Sequence, residues 1–279
     1  MIDFKRNSKR LIECGVRSKL YLILKDFFIK YILEKEESTK EIIEQEGIVT
    51  AQVWDYLGDI RRYNRAIELN PNDPKAYYNR GIFKSQTSDF KGAIEDFNKA
   101  IELNTKNVDS NFNRGLVKSK LEDYKSAISY YTKIIELNSK FTDAYINRAA
   151  AKSAFEDHDG AIADYNMAIE INPNSIDAFL KRGYLKCKLE DFNGAIDDYT
   201  KAIEIDPNNA ELYFSRAEAN SKLKNYEIAI EDYNKAIEIN PNYIEAYKCR
   251  GVAKRMLKDR MGASLDFRKA EELSSTIKV

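Results

Sequence analysis

Histidine is nearly absent from this chain, since His158 is the single example in 279 residues. Cysteine is scarce as well: Cys14, Cys187 and Cys249 lie far apart and in no metal-ligand spacing. Three separated cysteines argue against a disulfide framework or a zinc site and favour a reducing compartment. The sequence also lacks a nucleophile motif and a glycine-rich phosphate loop. We therefore expect no enzyme activity, no bound metal and no cofactor.

The chain has no net charge, because 45 lysine and arginine residues balance 45 aspartate and glutamate residues. Without a global positive field, binding to nucleic acid is not expected. Long hydrophobic runs are also missing: the apolar run 20–24 is cut short by Lys25 and Asp26, and no small-residue cleavage site follows. This pattern predicts neither a signal peptide nor a membrane span, so we expect a cytoplasmic protein.

Proline is rare, and its five positions fall in the turns of a pattern that recurs every 34 residues. Each repeat closes on an asparagine or aspartate, and these residues form one column: Asn70, Asn104, Asn138, Asn172, Asp206 and Asn240. A period of 34 residues is typical of a stacked helical solenoid. The prolines agree with this reading, because proline between helices ends a helix without breaking one.

Each repeat reads as two helices. In residues 74–107, Asp73 and Asp89 are placed to cap the first and the second helix. The second helix carries apolar residues at steps of three and four, which is the stripe of an amphipathic helix: Phe90, Ala93, Ile94, Phe97, Ala100 and Ile101. Alternating strand patterns are absent from the sequence, so the fold class is predicted to be all-α.

Two columns of small residues and one column of rings indicate how the helices pack. The first helix keeps a small residue at Gly81, Gly115, Ala149, Gly183, Ala217 and Gly251. The second helix keeps alanine at Ala93, Ala127, Ala161, Ala195, Ala229 and Ala263 and a ring at Phe97, Tyr131, Tyr165, Tyr199, Tyr233 and Phe267. Small residues let two helix axes approach to about 8 Å. We therefore expect tightly packed helix pairs.

These residues match a known family pattern. Tyr77, Gly81, Ala93, Phe97 and Ala100 agree in place and type with the tetratricopeptide repeat, and the same columns recur through six units. The chain thus resembles the tetratricopeptide repeat family. The resemblance implies a right-handed superhelical solenoid of antiparallel helix pairs whose concave wall is lined by the first helices. It also implies a non-enzymatic protein–protein interaction scaffold.

The predicted array covers residues 40–279. Its units are a degenerate first repeat at 40–73, then 74–107, 108–141, 142–175, 176–209 and 210–243, and a terminal unit at 244–277. In the terminal unit Ser264 and Glu271 replace isoleucines, so we expect a polar last helix that ends the array. Residues 1–39 are predicted to form a basic, apolar helical segment that caps the first repeat.

An arginine column runs through the first helices: Arg80, Arg114, Arg148, Arg182, Arg216 and Arg250. It would serve either as a polybasic ladder for acidic ligands or as a set of partners for aspartates in the second helices. Those aspartates recur at Asp96, Asp164, Asp198, Asp232 and Asp266, and only Tyr130 breaks their column. We favour pairing, because partly buried charges usually occur in pairs.

The predicted binding site lies on the concave wall. Asn79, Asn113 and Asn147 precede the arginines, and Lys181 continues their column. An asparagine amide offers a donor and an acceptor, so a row of amides can hold an extended peptide backbone. In the tetratricopeptide repeat family such ladders are one known way of holding peptides. The alternative, that these amides are only solvated, stays open.

Apolar residues run beside this row, and lysines lie near the rim. We expect the groove to include Tyr78, Phe112, Ile146, Leu116, Tyr184, Lys120 and Lys188. Contiguous surface aromatics indicate a partner site. The alternative is that the superhelix buries them against the next helix. The mixed charge of the groove favours a neutral or amphipathic peptide of a protein partner.

A second functional hypothesis concerns the N-terminus. Residues 1–33 carry eight basic and three acidic side chains around the apolar stretch 20–33. Basic amphipathic segments bind membrane surfaces or partner helices. The protein would then be a membrane-peripheral or complex-assembly subunit. We expect a monomer, with self-association through this segment as the alternative.

Overall fold

The computed structural model describes residues 60–276. The predicted capping segment 1–39, Cys14 and residues 40–59 of the degenerate repeat lie outside the described residues. The chain divides between Arg65 and Ala66 into two compact units. Of the first unit only residues 60–65 are described, and they are helical. The second unit carries the array.

The described part of the array is built from helices, and no strand occurs among residues 60–276. Residues 60–69 are helical, and twelve longer helices follow. They are α1 Pro74–Gln86, α2 Phe90–Leu103, α3 Val108–Lys120, α4 Tyr124–Leu137, α5 Thr142–Ala154, α6 His158–Ile171, α7 Ile176–Lys188, α8 Phe192–Ile205, α9 Ala210–Lys222, α10 Tyr226–Ile239, α11 Ile244–Met256 and α12 Arg260–Thr276. The fold class predicted from the sequence is confirmed.

Short polar side chains begin most of the helices. The side chain of Asp89 accepts a hydrogen bond from the backbone N–H of Gly92 at 3.0 Å, and Asp123, Asp157 and Asp191 repeat this contact. Asn225 stands in the same column without a side-chain capping bond. Carboxylates at these positions satisfy orphan N–H groups and lie at the positive end of the helix dipole. The capping pattern explains why the second helices begin where they do.

A backbone feature recurs in the turn within each repeat. One residue there has a positive φ of 58° to 67°, and none of these residues is glycine: Ser88, Glu122, Glu156, Glu190, Lys224 and Lys258. A side chain in this left-handed region is strained by contact between its Cβ and the backbone. The tight turn between the two helices therefore exists because the packing of the helix pair imposes it.

The contact pattern shows which side of the array is concave. Each helix packs against the next helix in the chain, and each odd-numbered helix from α1 to α9 also contacts the next odd-numbered helix. The even-numbered helices make no comparable contacts with one another within the described residues. Helices that touch across two repeats lie closer together than helices that do not. The array therefore curves toward the first helices, which form its inner wall.

Rings of the second helices pack against the small residues of the first helices. Tyr131, Tyr199 and Phe97 are fully buried, and the alanines of both columns are buried as well. A Cβ atom added to Gly115 would lie 2.7 Å from Cε1 of Tyr131. Such a distance is well inside van der Waals contact, so the ring occupies the space that a side chain would need. The tight packing expected from these columns is present.

The buried tyrosine rings make the array sensitive to alkaline pH. Burial raises the pKa of Tyr131 to about 12 and also raises the pKa of Tyr165, Tyr199 and Tyr233. In an unfolded chain tyrosine has a pKa of about 10. Below that pH both states keep the phenolic proton. Above it the unfolded state loses the proton first, so the free energy of unfolding falls as pH rises.

We predict that the free energy of unfolding decreases between about pH 10 and about pH 12, by roughly 1.4 kcal/mol per pH unit for each buried tyrosine. Denaturant titrations near both ends of this range measure it. Tyr131→Phe should flatten the decrease, because the phenylalanine has no proton to lose. A pH-independent stability across this range would refute the prediction.

Candidate functional site

The concave wall exposes one stripe of side chains per first helix, with spacings of four, three and four residues. On α3 the stripe consists of Asp109, Asn113, Leu116 and Lys120, and on α7 of Asp177, Lys181, Tyr184 and Lys188. These spacings place four side chains on one face of a helix. Because the first helices contact one another in order, their stripes adjoin. We call this surface, formed by the stripes of α1, α3, α5, α7, α9 and α11, the groove.

The three asparagines lie in this groove, and two of them are held by their own helix. The Nδ2 of Asn113 donates to the carbonyl oxygen of Asp109 at 3.0 Å and to the hydroxyl of Tyr78 at 3.3 Å. Asn147 repeats the first contact, to the carbonyl oxygen of Asp143 at 2.8 Å. Their Oδ1 atoms accept no hydrogen bond from the described residues. The amides are thus fixed in direction with an acceptor left for a ligand.

Asn79 differs from the other two asparagines, because it is exposed and makes no side-chain hydrogen bond within the described residues. The column then continues with Lys181, whose Nζ lies 3.4 Å from the carboxylate of Asp177 one turn earlier. This pair is exposed, and exposed pairs of this kind contribute little to stability. The row of amides therefore ends at Lys181, whose exposed side chain still lies on the surface of the groove.

The aromatic column beside the asparagines packs against other rings of the array instead of lining an open channel. The ring of Tyr78 lies 6.1 Å from that of Phe97, and the ring of Phe112 lies 5.4 Å from that of Phe141. Ile146 retains only 3 % of its surface and belongs to the core around Tyr165. Ile146 is therefore a core residue and not a groove residue, which corrects the expectation above. Tyr78 and Phe112 are half-buried, and their ring contacts make them part of the packing of the concave wall.

Other predicted groove residues do reach the surface. Leu116 is half-buried, and Lys120 and Lys188 are exposed. The ammonium of Lys120 lies 5.9 Å from the ring centre of Phe90, where its charge faces the ring. Tyr184 is 43 % exposed, the largest exposed ring of the groove stripes. These residues give the groove apolar patches bordered by positive charge.

Tyr184 also joins two first helices. Its hydroxyl donates to Oε1 of Glu211 at 3.0 Å and accepts from Oγ of Ser215 at 3.1 Å, both on α9. Burial against the wall raises the pKa of Tyr184, which keeps the hydroxyl protonated and able to donate. The ring is therefore held at a fixed angle in the groove.

Glu218 is a groove residue that the sequence reasoning did not select. It occupies the position of Ile82, Leu116, Ala150, Tyr184 and Val252 in the other repeats. It is the one acid in that column. Partial burial raises the pKa of its carboxyl, and Lys222 opposes this shift. A comparison of this column across the six repeats would have identified Glu218, because the other five residues are apolar or aromatic.

The two described cysteines lie in the same region and are not activated as nucleophiles. Burial raises the pKa of the Cys187 thiol and of the Cys249 thiol, and the negative charge of Glu218 adds to both shifts. A thiol with a raised pKa carries little thiolate at neutral pH. Within residues 60–276 no group of histidine, cysteine and acidic side chains is arranged to hold a metal ion. No helix of the described part is long and apolar enough to span a membrane.

The arginine column is engaged in pairing, as favoured above. Arg80 donates from Nε and Nη2 to both carboxylate oxygens of Asp96, at 2.8 and 2.6 Å. The same two-bond contact joins the arginines and aspartates of four further repeats: Arg148 with Asp164, Arg182 with Asp198, Arg216 with Asp232 and Arg250 with Asp266. In these five repeats the polybasic ladder is wrong, because the guanidinium groups already have carboxylate partners.

Each pair lies within one repeat, and the arginine also reaches back to the repeat before it. Nη1 of Arg148 donates to the hydroxyl of Thr132 at 3.0 Å, and Nη1 of Arg250 donates to Oδ1 of Asn234 at 2.7 Å. A lysine one turn after the arginine adds a second cation to the aspartate in four repeats, as Lys84 does for Asp96 at 2.8 Å. The column therefore connects consecutive repeats.

Arg114 is the exception, and two substitutions explain its surroundings. Asn111 stands where the other first helices carry an aromatic ring, and Tyr130 stands where the second helices carry aspartate. The guanidinium lies 3.7 Å above the ring centre of Tyr130, and Nη2 donates to Oδ1 of Asn111 at 3.2 Å. Ring and polar partner have thus exchanged helices. The carboxylate is lost, Nε is buried without a partner, and burial lowers the pKa of Arg114.

We predict that Asp198→Asn destabilises the array by about 3 kcal/mol, the lower end for a broken buried ion pair. The substitution leaves Arg182 and Lys186 facing a neutral amide in a largely buried place. Urea unfolding measures the difference. The neighbouring Asp197 is exposed, so Asp197→Asn is the matched control and should change stability little. Equal stability of the two variants would show that the pair contributes nothing.

We predict that the double substitution Asn111→Tyr with Tyr130→Asp stabilises the array by about 1.5 kcal/mol, the contribution of a charged hydrogen bond. It returns to Arg114 the ring and the carboxylate that the other repeats supply. The two single variants complete a double-mutant cycle, and the changes should couple because both residues contact one guanidinium. Thermal unfolding of the four proteins measures the coupling. Purely additive effects would contradict the exchange described here.

Family sequence profiles match the same part of the chain. A profile described as TPR repeat matches residues 60–86 and 183–224. Two profiles described as tetratricopeptide repeat match residues 74–107 and 210–243, and residues 108–141 and 142–175. No curated protein matches the chain.

Solved structures share the fold at low identity. A tetratricopeptide repeat protein from Parabacteroides merdae is 20 % identical, with a TM-score of 0.62, and the match covers 84 % of this chain and 92 % of that one. MamA from Desulfovibrio magneticus is 18 % identical, with a TM-score of 0.56 and coverage of 61 % and 96 %. YrrB, titled a TPR protein with an unusual peptide-binding site, is 24 % identical, with a TM-score of 0.53 and coverage of 66 % and 95 %.

These likenesses show the solenoid fold, and the profiles assign it to a family. Together the three profiles match residues 60–175 and 183–243, where the repeat columns and the helix pairs also lie. Proteins built from such repeats act as protein–protein interaction scaffolds. The chain belongs to the tetratricopeptide repeat family.

Proposed function

We propose that this protein is a non-enzymatic adaptor whose groove binds an extended segment of a partner protein. The observation that carries the proposal is the fixed orientation of the Asn113 and Asn147 amides. Each amide donates one N–H to a carbonyl oxygen of its own helix, and its own oxygen stays available to a ligand. Equivalent amides on successive first helices offer a ladder of acceptors and donors along one surface.

An extended backbone presents N–H and C=O groups that must be paired when a wall covers them. Side-chain amides supply both partners, so they can hold a peptide without reading its side chains. Amides that are already oriented lose little rotamer freedom on binding, which lowers the cost of association. The ladder therefore favours binding of a segment that arrives unfolded and becomes ordered along the wall.

The remaining groove residues favour an amphipathic segment. Leu116 and Tyr184 offer apolar surface, and Lys120 and Lys188 border it. Acidic residues at the start of the first helices, such as Asp109 and Asp143, balance these lysines. A strongly charged partner would meet repulsion from part of the groove. A mixed peptide with apolar anchors meets complementary groups along its length.

Among the structural neighbours, YrrB is titled a TPR protein with an unusual peptide-binding site. That neighbour supports peptide binding as a use of this fold. The alternative role of residues 1–33 in membrane docking, assembly or self-association falls outside the described residues. It stays a prediction from the basic charge of that segment. The cytoplasmic location also stays a prediction, which rests on the sequence pattern of residues 20–26 and on the separated cysteines.

A displayed library of random peptides tests the groove directly. The full-length protein should enrich a set of related peptides, and a variant with Asn79→Ala, Asn113→Ala and Asn147→Ala should bind them on the order of 100-fold more weakly. The factor corresponds to three hydrogen bonds of about 1 kcal/mol each. Fluorescence anisotropy with the enriched peptides measures the affinity, and circular dichroism confirms that the variant is helical.

A matched control carries the same number of alanines outside the groove. Asn174, Asn193 and Asn208 are exposed and lie in turns or on a second helix, and their triple variant should bind as the wild type does. If the wild type enriches no peptide, the groove does not bind extended segments. If both triple variants bind equally well, the amide ladder takes no part in binding.

A further inference from the structure

The groove changes character at α9. The stripe of this helix consists of Glu211, Ser215, Glu218 and Lys222, of which Ser215 is buried, and it follows the point where the asparagine row ends. Glu218 lies in the middle of the stripe. On the adjoining first helices the equivalent positions are Tyr184 and Val252, each 43 % exposed. One carboxylate is therefore placed between two exposed apolar surfaces.

The surroundings of Glu218 are held in place. Tyr184 is fixed by its hydrogen bonds to Glu211 and Ser215, and its ring packs edge-on against Tyr199 at 5.9 Å. On the other side, the rings of Phe214 and Tyr243 lie 4.9 Å apart. These contacts hold the ring of Tyr184 in place, so a ligand would meet one preformed wall in this part of the groove.

The carboxylate of Glu218 lacks a committed partner. It makes no hydrogen bond and no ion pair within 4 Å among the described residues. Lys222, one turn later on the same helix, acts on it only through space. Glu211 and Glu245 add negative charge from α9 and α11, and Lys222 and Lys248 add positive charge.

The balance of these charges is negative where the tyrosines and thiols lie. Burial is the main cause of the raised pKa of Tyr184, Tyr243 and Cys249, which lie in three different segments, and the charge of Glu218 adds to each of these shifts. Because the charge of Glu218 acts on groups that precede α9 and on groups that follow it, this carboxylate lies near the centre of the region. Its partial desolvation is a cost that a cationic ligand would offset.

We propose that Glu218 forms a subsite for a lysine or arginine side chain of the bound segment, with Tyr184 and Val252 as its walls. The cation pairs with the carboxylate, and the aliphatic stem lies along the ring and the valine. The exposed ring face adds attraction for the cation. The inference rests on the proposed peptide-binding function and names the chemistry of its partner: an extended segment with one basic side chain toward the C-terminal half of the groove.

Peptide display with four proteins tests this subsite. The wild type and the control variant Glu231→Gln, an exposed acid on α10, should enrich peptides with lysine or arginine at one position. Glu218→Gln keeps the shape and removes the charge, so this preference should vanish and the basic peptides should bind roughly tenfold more weakly. Glu218→Lys should replace the preference by one for aspartate or glutamate. Circular dichroism confirms helicity of each variant.

The outcomes separate the two proposals. Failure of the wild type to enrich any peptide overturns the peptide-binding function and this inference with it. Enrichment of peptides without a recurrent basic residue overturns only the Glu218 subsite. Persistence of the basic residue with Glu218→Gln has the same meaning, because the cation would then be held elsewhere. Loss of the preference in Glu218→Gln and its reversal in Glu218→Lys support the subsite.

Discussion

One contact sets the spacing of every helix pair: a ring of the second helix lies against a glycine or alanine of the first. Tyr131 fills the space beside Gly115 so closely that an added Cβ would lie 2.7 Å from the ring. The ion pairs depend on this spacing, because an arginine of the first helix reaches an aspartate of the second only while the axes remain close. The groove also depends on this spacing, because the first helices of neighbouring repeats contact one another only while the two helices of each pair lie close together.

Features that recur in phase could be predicted from the sequence. These features are the helix caps, the small and aromatic columns, and the pairing of Arg80 with Asp96. Because each recurs in equivalent surroundings, several repeats give evidence for the same contact. Features at the border between core and surface could not be predicted. Ile146 and Phe112 are both apolar, and only the packing of the residues around them decides that Ile146 is buried. The positive φ of Ser88 also escapes detection, because no glycine marks it.

The unit 108–141 shows how a broken column should be interpreted. Tyr130 alone looks like the loss of an ion pair. Together with Asn111 it is an exchange, in which the ring moves from the first helix to the second and a polar group moves the other way. The exchange keeps a ring and a polar group beside Arg114 and gives up the carboxylate. A substitution in a repeat protein is therefore best compared with the columns that its side chain contacts, and not with its own column alone.

The same reasoning separates the scaffold from its specificity. Columns that repeat in nearly every unit, such as the paired arginines and the rings, hold those units in the same way and cannot distinguish one ligand from another. The groove stripes vary: amides at Asn113 and Asn147 give way to Lys181, and Glu218 stands where other repeats are apolar. A segment that used both regions would meet backbone-binding amides at one end and a carboxylate at the other. Reversing it would bring its cation to the amides, so variation along the groove would also fix the direction of binding.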